Sequence, residues 1–81
     1  MKFIWPESAR AELRAVDREA AIRIPHALTK YGDSGEGDVT ALAGQWQGYL
    51  RLRVGDYRVM FTISHDDITI FRVRHRSEAY R

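Results

Sequence analysis

An α+β fold, with a helical hairpin packed on one face of a small antiparallel sheet of about four strands, is what this sequence predicts. Three observations predict it. Between residues 9 and 31 apolar side chains recur every three or four positions, as one-sided helices require; after residue 46 they recur every two, as half-buried strands require. Between the two regimes lies a glycine-rich break, Gly32 to Gly37.

Lys2 to Trp5 alternates weakly and supplies a short first strand. Trp5-Pro6 ends it, because a residue before proline is held extended and proline suits the first turn of a helix. Ala9, Leu13, Val16 and Ala20 then form an apolar stripe, with Glu7, Arg10, Glu12, Arg14 and Arg18 on the other side. Asp17 can ride in this helix or cap a second one; the cap is preferred, since its short carboxylate can accept from the amides that open a new turn. The second helix then runs from about Arg18 to Tyr31, with Ala21, Ile24, Leu28 and Ile22 facing inward. Pro25 removes one of its hydrogen bonds, at a cost of roughly 3 kcal/mol, so a kink or a restart is expected there. Gly32-Asp-Ser-Gly-Glu-Gly37 reads as a connector. It lacks the lysine and hydroxyl residue of a phosphate-binding loop and is acidic besides.

From Gln47 the period is two. Leu50, Leu52 and Val54 alternate with Tyr49, Arg51 and Arg53; Gly55-Asp56 turns into Tyr57 to Ile63; His65-Asp66-Asp67 turns again into a strand from Ile68 to Arg74. In that last strand Phe71 and Val73 face opposite to Arg72 and Arg74. Trp5, Trp46, Tyr31 and Phe61 are expected in or at the edge of the core, whereas Tyr49, Tyr57 and Tyr80 can serve either packing or stacking.

The 81 residues leave room for one domain, 1–81, with one modest core. The chain has no cysteine, which excludes disulfides, thiolate nucleophiles and cysteine-ligated zinc. The apolar run at Met1 to Trp5 is too brief for a signal sequence, and no stretch approaches the roughly 18 apolar residues of a membrane span, so a cytoplasmic protein without membrane contact is expected. His26, His65 and His75 are dispersed without ligand spacing, and neither a metal nor another cofactor is expected.

Charge is the informative quantity. Residues 1–40 carry six basic against seven acidic side chains, but residues 41–81 carry seven arginines (Arg51, Arg53, Arg58, Arg72, Arg74, Arg76 and Arg81), no lysine and four acids. Most of these arginines occupy alternate positions of apolar strands, so they can gather on one sheet face while their neighbours feed the core. Guanidinium groups keep their charge and bind phosphate in a bidentate way, which points to a nucleic-acid partner.

Leu42-x-Gly44, then Tyr49-Leu-Arg-Leu-Arg-Val-Gly-Asp-Tyr-Arg-Val59, then Val73-Arg-His-Arg76 with nearby Tyr80, resemble the RelE/ParE superfamily of type II toxin–antitoxin toxins, and more closely its RelE-like branch. The resemblance covers most of the chain. It implies a toxin that is neutralised by binding a cognate antitoxin, enters the ribosome and cuts messenger RNA by attack of a 2′-hydroxyl on the scissile phosphate, leaving a 2′,3′-cyclic phosphate. The related ParE branch instead inhibits DNA gyrase without catalysis.

By position in the motif, the resemblance implies catalytic roles for Arg58 at the scissile phosphate, Arg51 beside it, Arg74 or Arg76 near the leaving group, and Tyr80. Arg53, Tyr49, Tyr57, Arg72 and Arg81 are then the RNA-binding candidates. Tyr49 stands where some relatives have lysine and Arg51 where they have a second one, so the general base is unassigned. His75 is the acid/base candidate by pKa, near 6.5 when unperturbed. Its parity matches Val73, however, which favours a structural place on the covered face.

Overall fold

The computed structural model describes residues 1–78. Its elements are β1 (Lys2–Ile4), α1 (Glu7–Ala15), α2 (Arg18–Ser34), β2 (Asp38–Ala41), β3 (Leu50–Val54), β4 (Tyr57–Ser64) and β5 (Asp67–His75), with short 3₁₀ turns at Gly44–Trp46 and Arg76–Glu78. No helix among the described residues is long and apolar enough to cross a membrane. The strands form one sheet in the order β1-β5-β4-β3-β2. All neighbours are antiparallel except β1, which runs parallel to β5.

The expected antiparallel sheet of about four strands is therefore a mixed sheet of five. β1 lies beside the last strand, and a parallel neighbour requires a long connection, here supplied by the intervening chain. β2 went unread because it is short and has a single half-buried apolar residue, Val39. It is an edge strand recruited by the backbone of β3, in the register Asp38↔Arg53, Val39↔Leu52 and Thr40↔Arg51.

Both helices lie on one face, α1 against β5 and α2 against β3. Ala9, Ala20, Ile24 and Leu28 from the helices meet Leu52, Val54, Val59, Phe61, Ile68, Ile70 and Val73 from the sheet. Asp17 does cap α2: its Oδ2 accepts from the Ala20 N–H at 3.4 Å. Ile22 does not turn inward and is 67% exposed. At 3.6 residues per turn it sits about 200° around the helix from buried Ile24.

Two further expectations need correction. α2 does not restart at Pro25 but runs as one helix to Ser34. Tertiary burial of Ile24 and Leu28, one on either side, outweighs the lost hydrogen bond. The connector consequently begins at Gly35, whose φ of 78° stops the helix while its N–H donates to the Tyr31 carbonyl at 2.8 Å. Gly32 is helical and small for a packing reason: a Cβ there would lie 3.0 Å from the Phe3 ring.

The other correction lies in β5. Met60 pairs with Arg72 but Phe61 pairs with Ile70, so Phe71 is an extra residue at a β-bulge. The bulge reverses its parity, and Phe71 joins Arg72 on the face that the helices leave open instead of joining Val73 in the core.

Candidate nucleic-acid interface

Two rows of residues cross the open face. One is Asp38–Arg53–Arg58–Arg74 and the next is Thr40–Arg51–Met60–Arg72, each read straight across the ladder. The hairpin between β3 and β4 turns on Gly55, with φ 58°, and this tight register sets Arg53 opposite Arg58. Arg76 lies just beyond β5. Its N–H donates to the Asp56 carbonyl at 2.7 Å, which ties the 3₁₀ turn to the β3–β4 turn and brings a further guanidinium to the same corner.

Arg58 is the centre of this group. Its Nη1 donates to the carbonyls of Gly55 and Tyr57, both at 3.0 Å, so the side chain is held by backbone acceptors. Burial, then the like charges of Arg53, Arg51 and Arg76 in falling order, lower its pKa from the usual arginine value, while Asp38 opposes them. Arg53, Arg58, Arg72 and Arg76 make no ion pair with the described residues. Crowded cations with few acidic partners raise the potential of this corner, and an incoming phosphate would relieve it.

Arg74 does not contribute its guanidinium to this corner, although its Cα stands opposite Arg58. The side chain reaches over the edge of β5 to α1, where it pairs with Glu12 Oε2. Glu12 Oε1 accepts from the Val73 N–H at 2.7 Å, so one carboxylate holds both a backbone and a side-chain donor. β1 covers only the first residues of β5, which leaves the Val73 amide on an uncovered edge for α1 to satisfy.

His75 and Tyr57 lie on the helix-covered side. They are cross-strand partners of each other and share parity with buried Val54. Their rings meet edge to face at 5.5 Å. His75 Nδ1 accepts from the Ser77 N–H at 3.3 Å. Both line a cleft of about 410 Å³ with Glu12, Ala15 and Val16 of the α1 end. The parity argument for His75 thus held, and Tyr57, which could have gone either way, is separated from the arginine rows by the sheet.

Trp46 is the opposite case. Expected at the core, it lies in an aromatic cluster on the open face, with its ring 5.8 Å from those of Tyr49 and Phe71. Phe71 and Tyr49 are 5.0 Å apart, and the Arg72 guanidinium stands 5.2 Å from the Trp46 ring centroid. Glycines with positive φ at 44 and 48 flank the Trp46 turn and fold it back onto β3. Those glycines were the available signal for Trp46; nothing in the alternation marked Phe71. Asp38 was also missed, because its strand was. Tyr80 and Arg81 lie outside the described residues. Among the described residues no cluster of histidine and carboxylate side chains has the geometry to hold a metal.

The fold is shared with solved toxin structures. A RelB–RelE antitoxin–toxin complex of Methanococcus jannaschii matches with a TM-score of 0.75 and 23% identity, over 95% of this chain and 94% of that one. The RelBE2 toxin–antitoxin complex of Mycobacterium tuberculosis matches with a TM-score of 0.77 and 24% identity, over 93% and 96%. YafQ of Escherichia coli matches with a TM-score of 0.78 at 8% identity, over 99% and 98%. No curated protein matches the chain. The family model described as the ParE toxin of the type II toxin–antitoxin system, parDE, matches residues 3–80, and the chain therefore belongs to that family.

Proposed function

We propose that this toxin acts through its open sheet face on ribose-phosphate, as a ribosome-dependent endoribonuclease that cleaves messenger RNA by 2′-hydroxyl attack. The observation that carries the reading is the gathering of Arg53, Arg51 and Arg76 around Arg58, whose pKa is lowered first by burial and then by these like charges. Four guanidiniums with backbone-fixed Arg58 at their centre suit a phosphate that gains charge as the fifth oxygen approaches. Arg58 clamps the scissile phosphate, Arg51 and Arg53 hold the flanking backbone, and Arg76, in preference to Arg74, stands near the leaving oxygen. Tyr80 and Arg81 complete the set by motif position.

The 2′ proton needs an acceptor, and Asp38 is the carboxylate in the row that runs across the ladder through Arg53 to Arg58. We assign it that role. The step is then a transfer of the 2′ proton to Asp38, formation of the 2′-oxygen–phosphorus bond, and breaking of the phosphorus–5′-oxygen bond, with the departing 5′-oxygen taking a proton from solvent water to leave as an alcohol. The fold likeness to the RelE and YafQ structures supports the reading.

An antitoxin encoded beside the toxin is its expected partner, by analogy with the RelB-bound structures. An acidic segment that folds on the arginine face would cover it, in the cytoplasm where ribosomes and messengers are met. A second reading, non-catalytic inhibition of DNA gyrase, is favoured by the placement of His75 across the sheet and of Arg74 in an ion pair, and by the ParE description of the family.

Expression from a tight promoter, with mapping of messenger 5′ ends, tests the reading. New ends that disappear in Arg58→Ala are expected; growth arrest with unchanged transcripts and DNA damage would reject it in favour of gyrase.

A further inference from the structure

A phenylalanine turned outward by a bulge is costly in so small a domain, because it gives up apolar burial and interrupts the ladder. Phe71 is 38% exposed, whereas straight continuation of β5 would have placed it with Val73 in the core. Its ring lies 5.0 Å from Tyr49 and 5.8 Å from Trp46, and the Arg72 guanidinium stands 5.3 Å from its centroid. Met60, cross-strand partner of Arg72 on the same face, is only 1% exposed, so this part of the open face is covered by side chains. Tyr49 lies just ahead of β3, two positions before Arg51, and Arg51 lies straight across from Met60, whose other partner is Arg72 of the patch, so the aromatic patch adjoins the rows of Arg51, Arg53 and Arg58 on one face.

We propose that Phe71, Trp46, Tyr49 and Arg72 form a stacking platform for an unpaired nucleobase of a strand whose phosphates lie on the arginine rows. The inference rests on the ribose-phosphate reading of that face and names what sits beside the phosphate. Aromatic rings and the flat guanidinium both accept the face of any base, and a single strand presents bases and phosphates in the alternation that this surface mirrors. The charge argues for nucleic acid over a peptide: among the described residues the two rows on this face hold Arg51, Arg53, Arg58 and Arg72 against one carboxylate, Asp38. The stacking chemistry is common to RNA and DNA.

The experiment uses the full chain and labelled single strands of equal length and charge: uncleavable 2′-O-methyl RNA, DNA, and DNA carrying abasic sites. Removal of the bases is expected to weaken binding about tenfold, and Phe71→Ala to weaken the base-containing strands by a similar factor while leaving the abasic strand unaffected. Phe71→Tyr, which keeps the ring, retains affinity; thermal melting confirms that both variants fold. Equal RNA and DNA affinity supports recognition by the base alone, and tighter RNA binding supports a platform that is accompanied by 2′-hydroxyl contacts.

If abasic and base-containing strands bind equally while Arg58→Ala weakens both, the platform is overturned and the phosphate reading stands. Absence of salt-dependent binding to every strand overturns both. Loss of polyglutamate binding in Phe71→Ala, with oligonucleotide affinity unchanged, assigns the patch to an acidic protein partner and likewise overturns the platform.

Discussion

Arg58 and Arg74 are cross-strand partners whose guanidiniums end in different company, one among cations and one with Glu12. That difference decides which residues are available to an anion. It makes Asp38, the acid on the cationic side, the residue whose replacement is most informative. Asp38→Asn removes a negative charge from the corner and is expected to raise affinity for single-stranded RNA a few-fold at low salt. If Asp38 takes the 2′ proton, cleavage by this variant falls by at least about 10²-fold despite the tighter binding. Gel-shift and cleavage assays on the same preparation separate the two; tighter binding with full cleavage would remove Asp38 from the mechanism. A second residue-scale strain lies at the β4–β5 turn, where His65 and Asp66 both have positive φ, 53° and 67°. A two-residue hairpin turn of this hand prefers Asn-Gly. The pair His65→Asn with Asp66→Gly is expected to stabilise the fold by about 1 kcal/mol, read as a higher urea midpoint with an unchanged slope.

At the scale of elements, the contact between α1 and β5 is held by more than apolar packing. The Glu12 carboxylate satisfies the Val73 amide at a strand edge and the Arg74 guanidinium together, and both charged side chains are less than one-third exposed. Glu12→Ala is expected to cost about 2 kcal/mol in chemical denaturation, because it leaves a part-buried N–H and a part-buried cation without acceptors. Glu12→Gln, which keeps an oxygen for the amide, should cost less. In α2 the proline illustrates a competition between local and tertiary terms. The turn that contains Pro25 is flanked by Ile24 and Leu28, exposed by 0% and 1% respectively, and their burial keeps the helix whole.

The whole molecule is small enough that each buried side chain carries a large share of its stability. Helix-face core residues are few, and Ile24 is fully buried between α2 and the sheet. Ile24→Ala is expected to cost about 2–4 kcal/mol, a large fraction of the roughly 5–15 kcal/mol typical of a folded domain. A melting temperature within about 3 °C of wild type would contradict this packing. The distribution of charge over the whole surface has its own readout. With several arginines on one face engaging phosphates, oligonucleotide affinity should fall steeply as salt rises, and Arg58→Ala should reduce the slope of log affinity against log salt by about one.

Periodicity and turn and cap residues determined the class of this protein, the helical hairpin, the Asp17 cap, both β-hairpin turns and the gathering of arginines on strands. These are local properties, set by spacing along the chain and by the backbone preferences of aspartate and glycine. Tertiary structure decided what depends on neighbours far away in sequence. The partnership of β1 with β5, the recruitment of β2 by β3 and the passage of α2 through Pro25 each follow from burial or pairing that no window of residues contains. The same holds at the site: one extra residue in β5 moved Phe71 to the open face, and one carboxylate on α1 withdrew Arg74 from it. Alternation names the side of a strand on which a residue starts, whereas bulges and long, flexible charged side chains determine where its functional atoms finish.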